Sequence, residues 1–215
     1  MYRTMIPFSI ASDAAKILEK PMRRNIRFMY FKSGKDRMML VNLRKPIMIR
    51  DRNMSLAGYV RSKLFHEDIG LIIDYRHRDE INYEYACASM GSDGRVQVLM
   101  EPEIYLDFVR GKPYARTTIL HELGHVFYND LPEIYRDGTE YDVERLGVIE
   151  AGNVHEREIR ADAFAARFLG TAVVSEGLSY LREADIAEDE EANAPSILEL
   201  GRRIQLLMEL SPPER

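Results

Sequence analysis

Cysteine is nearly absent from the 215-residue chain: Cys87 stands alone, so an intramolecular disulfide is excluded and a buried core must hold the fold. It lies in the alternating stretch INYEYACAS with no histidine-and-acid signature around it, and reads as a small buried apolar side chain rather than a nucleophile. Long apolar runs are missing too. No segment approaches the ~20 consecutive apolar residues of a membrane-spanning helix. The opening MYRTMIPFSIASDAAKILEK lacks a continuous apolar stretch followed by a small-residue cleavage site. A soluble, cytoplasmic protein with no membrane partner is the expectation. With 46% apolar residues over this length, the chain suffices for one ordinary domain and a small appended one.

Charge is not scarce but unevenly spread. Residues 1–65 hold 15 Lys and Arg against 4 Asp and Glu, whereas residues 66–215 hold 15 against 31, so a net charge of −5 conceals a basic first part and an acidic remainder.

Local pattern organises the chain into three parts. Residues 1–54 form a basic, β-rich N-terminal element: a short helix over Ser9–Lys20 stopped at Pro21, then NIRFMYF and RMMLVNL flanking the hairpin turn KSGKD, then a third short strand PIMIR. Residues 55–170 form the central core. Ser55 caps a helix SLAGYVRSKLF, and DIGLIIDY, NYEYACAS and RVQVLM follow as a three-stranded antiparallel meander. After these come a short helix PEIYLDFVRG closed at Gly111, a longer one starting at Pro113, and a third, VHEREIRADAFAARFL. Residues 171–215 hold two helices, TAVVSEGLSYLREA and PSILELGRRIQLLMEL, joined by the acidic stretch EADIAEDEEANA, which reads as a solvated linker or helix surface. The segment Asn129 to Gly152 is acidic and rich in turn residues, with the composition of a lid or a loop.

The chemistry concentrates in TTILHELGHVFYND, residues 117–130. Positions four apart on a helix stand on one face, so His121 and His125 can offer two imidazole nitrogens to one ion. A catalytic zinc takes three protein ligands and keeps an open position. Glu122 lies beside the first histidine, where its carboxylate can reach the water that the ion activates without itself ligating, as a general base must. Ile119, Leu120, Leu123, Val126 and Phe127 would anchor the helix, and Gly124 would admit another element closely. Two hydrogen-bonded core histidines would show the same spacing, so a third ligand decides the matter.

HEREIRADAFAARFL supplies that ligand as Glu158, with Asp162 one turn later on the same face to accept the outer N–H of a liganding imidazole. Phe164, Ala165 and Phe168 are available for packing. Glu156 points about 200° away from Glu158 and is the poorer candidate. Glu150 is a rival third ligand, and His155 reads equally as a rim residue or an exposed helix start.

HELGH followed by Glu158, Asp162, Phe164 and Ala165 resembles the ImmA/IrrE metallopeptidases, whose second helix runs close to E-x-E-A-[ND]-x-F-A-A; Arg116, Thr118 and Ile119 resemble the run before that family's HELGH. The resemblance covers about residues 55–170. It implies zinc ligands His121, His125 and Glu158, base Glu122, and an α+β zincin-like metallopeptidase core with a small antiparallel sheet, an active-site helix and a glutamate-ligand helix. Manganese or iron would also suit two histidines and a carboxylate. The resemblance further implies cleavage of a regulatory protein such as a transcriptional repressor. Arg160 stands where the family has a second glutamate, and FLGTAVVS lacks its LLMP ending. An edge strand beside the active-site helix would pair with an extended substrate, and RVQVLM is the candidate.

The alternative follows from the charge split. Residues 1–65 could bind nucleic acid through Arg23, Arg24, Arg27, Arg37, Arg44 and Lys45, with Phe28, Tyr30 and Phe31 stacking on bases, making the protein a zinc-stabilised, non-catalytic regulator. Against this stands a basic element that docks on the acidic remainder or on an acidic partner, with its aromatics in the core.

Overall fold

A computed structural model describes residues 26–49, 53–77, 80–81, 85–91, 94–131, 153–191 and 193–210. The expected helix Ser9–Lys20, the possible ligand Glu150, and all of the 129–152 segment beyond residue 131 lie outside them, as does the side chain of His155. The chain is α+β and divides into two units, Met1–Leu106 and Asp107–Arg215. This division does not coincide with the boundaries expected at 54/55 and 170/171.

Among the described residues, the first unit is built on a six-stranded sheet in the order β1-β2-β3-β4-β6-β5. Strands β1 (Ile26–Ser33) and β2 (Asp36–Met48) form the expected hairpin, paired from Ile26 with Leu43 to Ser33 with Asp36. PIMIR is not a separate strand. Its first three residues prolong β2 beyond a register shift between Asn42 and Ile47, and that irregularity is where a sheet tolerates Pro46, which has no N–H to give.

The helix expected from Ser55 is instead β3 (Met54–Ser62), antiparallel to both β2 and β4 (Ile69–Asp74). Its apolar residues fit a helical period, but Ala57, Tyr59 and Val60 are all buried in the sheet, and a Cβ on Gly58 would collide with the carbonyl oxygen of Val41. Packing against β2 overrides the local pattern. Because β2 and β3 pair along most of their length, the basic strands belong to one sheet with the rest of the unit.

The expected meander is also reordered. β5 (Ala86–Met90) and β6 (Val96–Met100) are antiparallel neighbours, yet β4 pairs with β6, in parallel, and β5 lies at the edge. Burial explains the order. All six residues of β4 are buried, as are Val98, Leu99 and Met100 of β6, whereas β5 is half-exposed and Cys87 within it only half-buried. RVQVLM is therefore an interior strand and offers no free edge to a substrate.

Helix α1 (Pro102–Arg110) carries the chain across the division, and within the first unit the Tyr105 hydroxyl lies 3.0 Å from both Asn42 Oδ1 and the Leu43 carbonyl. The second unit holds α2 (Pro113–Tyr128), α3 (Asn153–Leu169), α4 (Thr171–Asp189) and α5 (Ala194–Leu210). Helix α2 packs on α3 and α4, and α4 on α5, around Ile119, Leu120, Leu123, Phe164, Val174, Leu178 and Leu207. Much of the acidic linker is helical: α4 runs on to Asp189, and Asp185, only 3% exposed, accepts a hydrogen bond from Ser196 Oγ at the start of α5.

Candidate metal centre

Two helices supply the site. Helix α2 starts at Pro113, whose missing N–H costs nothing in a first turn, and buries Ile119, Leu120 and Leu123, which fixes His121 and His125 on its adjoining face. Helix α3 buries Ala161, Phe164 and Ala165. The two approach so closely at Gly124 that a Cβ there would lie 2.8 Å from the Cα of Ala161. Phe127 packs on Phe164 at 5.1 Å between ring centroids. Glu158 and Asp162, one turn apart on α3, meet the two histidines at this contact.

His121 Nε2 is 2.9 Å from Glu158 Oε2, His125 Nε2 is 3.3 Å from Glu158 Oε1, and the two Nε2 atoms are 3.0 Å apart. Ligand atoms held by a tetrahedral zinc at ~2.0–2.1 Å lie about 3.3 Å from one another. The three side chains thus already form a donor triangle of ionic size, and their chemistry, two imidazoles and a carboxylate, fits a divalent ion. His121 Nδ1 lies 2.7 Å from Asp162 Oδ1, so the outer nitrogen is held by a carboxylate and Nε2 is the one turned to the triangle. Glu122 follows His121 on α2 and is half-buried, while Glu156 is exposed.

Sequence reasoning missed two residues. Arg203 of α5 is 11% exposed in its side chain and reaches Asp162 Oδ2 through Nε at 2.7 Å, Asp162 Oδ1 through Nη2 at 2.8 Å and Glu158 Oε2 through Nη1 at 3.1 Å. The available signal was its position between Leu200 and Leu207, both buried: a charge inside the apolar stripe of a helix. The other is Asp130. Asn129 closes α2 in the left-handed conformation at φ 57°, the Asp130 N–H bonds to the His125 carbonyl, and the Asp130 carboxylate comes to 3.4 Å from His125 Nδ1. Arg160 donates to that same carboxylate at 2.8 Å and covers the Tyr128 ring.

The cluster is strongly coupled. Burial and the Arg203 guanidinium favour neutral His121, but the Asp162 and Glu158 carboxylates outweigh them and push it up to about 10. Burial works against charge on Glu158 and Asp162 as well. For both, the His121 charge leads the opposing effects, hydrogen bonds and Arg203 add to it, and each carboxyl is held below its ordinary range. Arg203 is held above its own ordinary value, its burial outweighed by the Asp162 carboxylate.

No family model, no curated protein and no solved structure matches the chain. Among the described residues no helix is long and apolar enough to cross a membrane.

Proposed function

We propose that this protein is a zinc-dependent metallopeptidase of the HExxH type, with a zincin-like core, that cleaves a regulatory protein such as a transcriptional repressor. The observation that carries the reading is the donor triangle of His121, His125 and Glu158, with Asp162 on the outer nitrogen of His121. The substrate class rests on the resemblance of HELGH and the Glu158 helix to the ImmA/IrrE metallopeptidases, and manganese or iron remain chemically acceptable in place of zinc.

His121, His125 and Glu158 would hold the ion, which when bound supplies Lewis-acid polarisation of a carbonyl and lowers the pKa of water towards neutrality. Asp162 accepts the Nδ1 proton of His121 and so keeps the Nε2 lone pair facing the triangle. Arg203 fixes that carboxylate by donating to both of its oxygens. Glu122 accepts the proton of the attacking water and delivers it to the leaving amine nitrogen.

Metal analysis of purified wild type and His125→Ala tests the ligand set: one divalent ion per wild-type chain and a loss of at least tenfold in affinity in the variant are expected. Glu122→Gln should keep the ion and lose cleavage of a peptide library by a factor of at least 100. An ion-free wild type after reconstitution would sink the site. A Glu122→Gln variant as active as wild type would leave a metal-stabilised regulator without catalysis.

A further inference from the structure

Around the hairpin of β1 and β2 the sheet carries an exposed patch that the metal cluster does not use. Side chains alternate across a strand, so Phe28, Tyr30 and Lys32 of β1 share one face, and the register sets Val41, Met39 and Arg37 of β2 opposite them. Tyr59 and Arg61 of β3 continue that face, opposite Val41 and Met39; Val41 and Tyr59 are buried, so its open part is β1 and the hairpin end. The other face of β2 and β3 buries Met38, Leu40 and Val60. Here, by contrast, Phe28 is 54% and Tyr30 70% exposed, so these aromatics are not core residues. Among the described strands, β1 also lies at an edge of the sheet.

Charge says what the face fits. Lys32 and Arg37 stand directly opposite each other, both exposed, and Lys35 in the turn between them is exposed too. Like charges directly opposed across a strand pair repel, and an anion between them removes that cost. Arg61 is already matched by Asp68, at 2.6 Å, which leaves the excess of positive charge at the hairpin end of the face. Two residues of rise separate the Phe28 and Tyr30 rings by about 6.8 Å along the strand, room for successive bases of an extended chain to stack one on each ring. A duplex presents no free base faces, and an apolar protein partner would have to cover Lys32 and Arg37 without neutralising them.

We propose that this face binds single-stranded nucleic acid, with bases stacked on Phe28 and Tyr30 and phosphates held by Lys32, Lys35 and Arg37. The proposal uses nothing of the metal site, so His125→Ala should bind as wild type does, and either reading can fail alone.

The test is fluorescence anisotropy of the full chain with a labelled oligothymidylate of about 12 nucleotides, titrated with salt from about 50 to 200 mM. Phe28→Ala and Tyr30→Ala should each weaken binding by about tenfold with the salt slope unchanged. Lys32→Glu with Arg37→Glu should weaken it further and reduce that slope by roughly 1.4. All four side chains are exposed on the strand surface, and circular dichroism checks that the variants stay folded. Absence of wild-type binding at the lowest salt overturns the proposal. Binding that ignores both aromatic substitutions overturns it, as does an unlabelled duplex that competes as well as the single strand.

Discussion

At the scale of single residues, the contact that most distinguishes this site from two histidines on a helix is the line from His121 through Asp162 to Arg203. Asp162 is 1% exposed and takes one hydrogen bond from the imidazole side and two from the guanidinium. Remove Arg203 and a buried carboxylate keeps a single partner, free to turn away from Nδ1. Arg203→Met should therefore weaken metal binding about tenfold or more, and Arg203→Lys should restore part of it, measured by competition with a chelating dye. An affinity unchanged in a folded Arg203→Met protein would show that Asp162 needs no such support. The protonation of the same cluster gives a second prediction. With His121 raised from 6.5 to about 10, the ion-free protein carries a proton there at neutral pH, and an ion must displace it. Zinc uptake near pH 7 should release about one proton, read from calorimetry in buffers of different ionisation enthalpy. In the ion-free protein the His121 contribution is complete below 6.5 and is lost as pH rises through about 10. The contributions of Glu158 and Asp162 are present above 4.5 and 3.8 and are lost as pH falls below those values. Ion-free protein should thus melt highest between about pH 5 and 6.5, and the stabilisation by zinc should grow from pH 6 to pH 9.

At the scale of elements, the close contact of α2 and α3 sets the triangle, and Gly124 sets the contact. A methyl group there would meet the Ala161 Cα at 2.8 Å and its carbonyl oxygen at 3.0 Å, backbone atoms that no rotamer change can move. Gly124→Ala should cost about 1–3 kcal/mol of stability and weaken metal binding at the same time, because the two histidines and Glu158 sit on opposite sides of the widened contact. Loss of stability alone, with metal affinity intact, would mean that the ligands do not depend on the helix spacing. The same contact shows why the site was readable in the sequence. His121, His125, Glu158, Asp162 and Gly124 act through helical periods of three and four, which the chain displays directly. The sheet was less legible, because its order is set by partners distant in sequence. SLAGYVRSKLF has a helical apolar period, and its pairing with β2 and β4, which needs the close approach of Val41 to Gly58, makes most of it a strand. The parallel pairing of β4 with β6 depends on how much of each strand is buried, which a turn motif between β5 and β6 cannot disclose. Arg203 escaped for a similar reason: its role exists only once α5 reaches α3.

At the scale of the whole molecule, the chain's two units differ in what a metal ion can do to them. Every donor, and every residue found to orient one, lies in Asp107–Arg215: His121, His125 and Asp130 from α2 and its end, Glu158, Asp162 and Arg160 from α3, Arg203 from α5. An ion that binds the folded state stabilises it by RT ln(1 + [L]/Kd), about 2.7 kcal/mol when the free ion exceeds its Kd a hundredfold. That free energy acts on openings that break the triangle by separating α2 from α3, and on release of α5, which would take Arg203 away from Asp162 and Glu158. The six-stranded sheet is held by its own ladders and by Leu40, Ile69, Ile72 and Val98, none of which an ion touches. Amide hydrogen exchange with and without zinc should therefore slow by up to about a hundredfold in α2, α3 and α5, and remain unchanged in β1–β6. Equal slowing in both units would show that they open as one cooperative body, and would make the metal centre a determinant of the sheet's stability as well. Slowing in neither would show that the triangle does not hold an ion in solution.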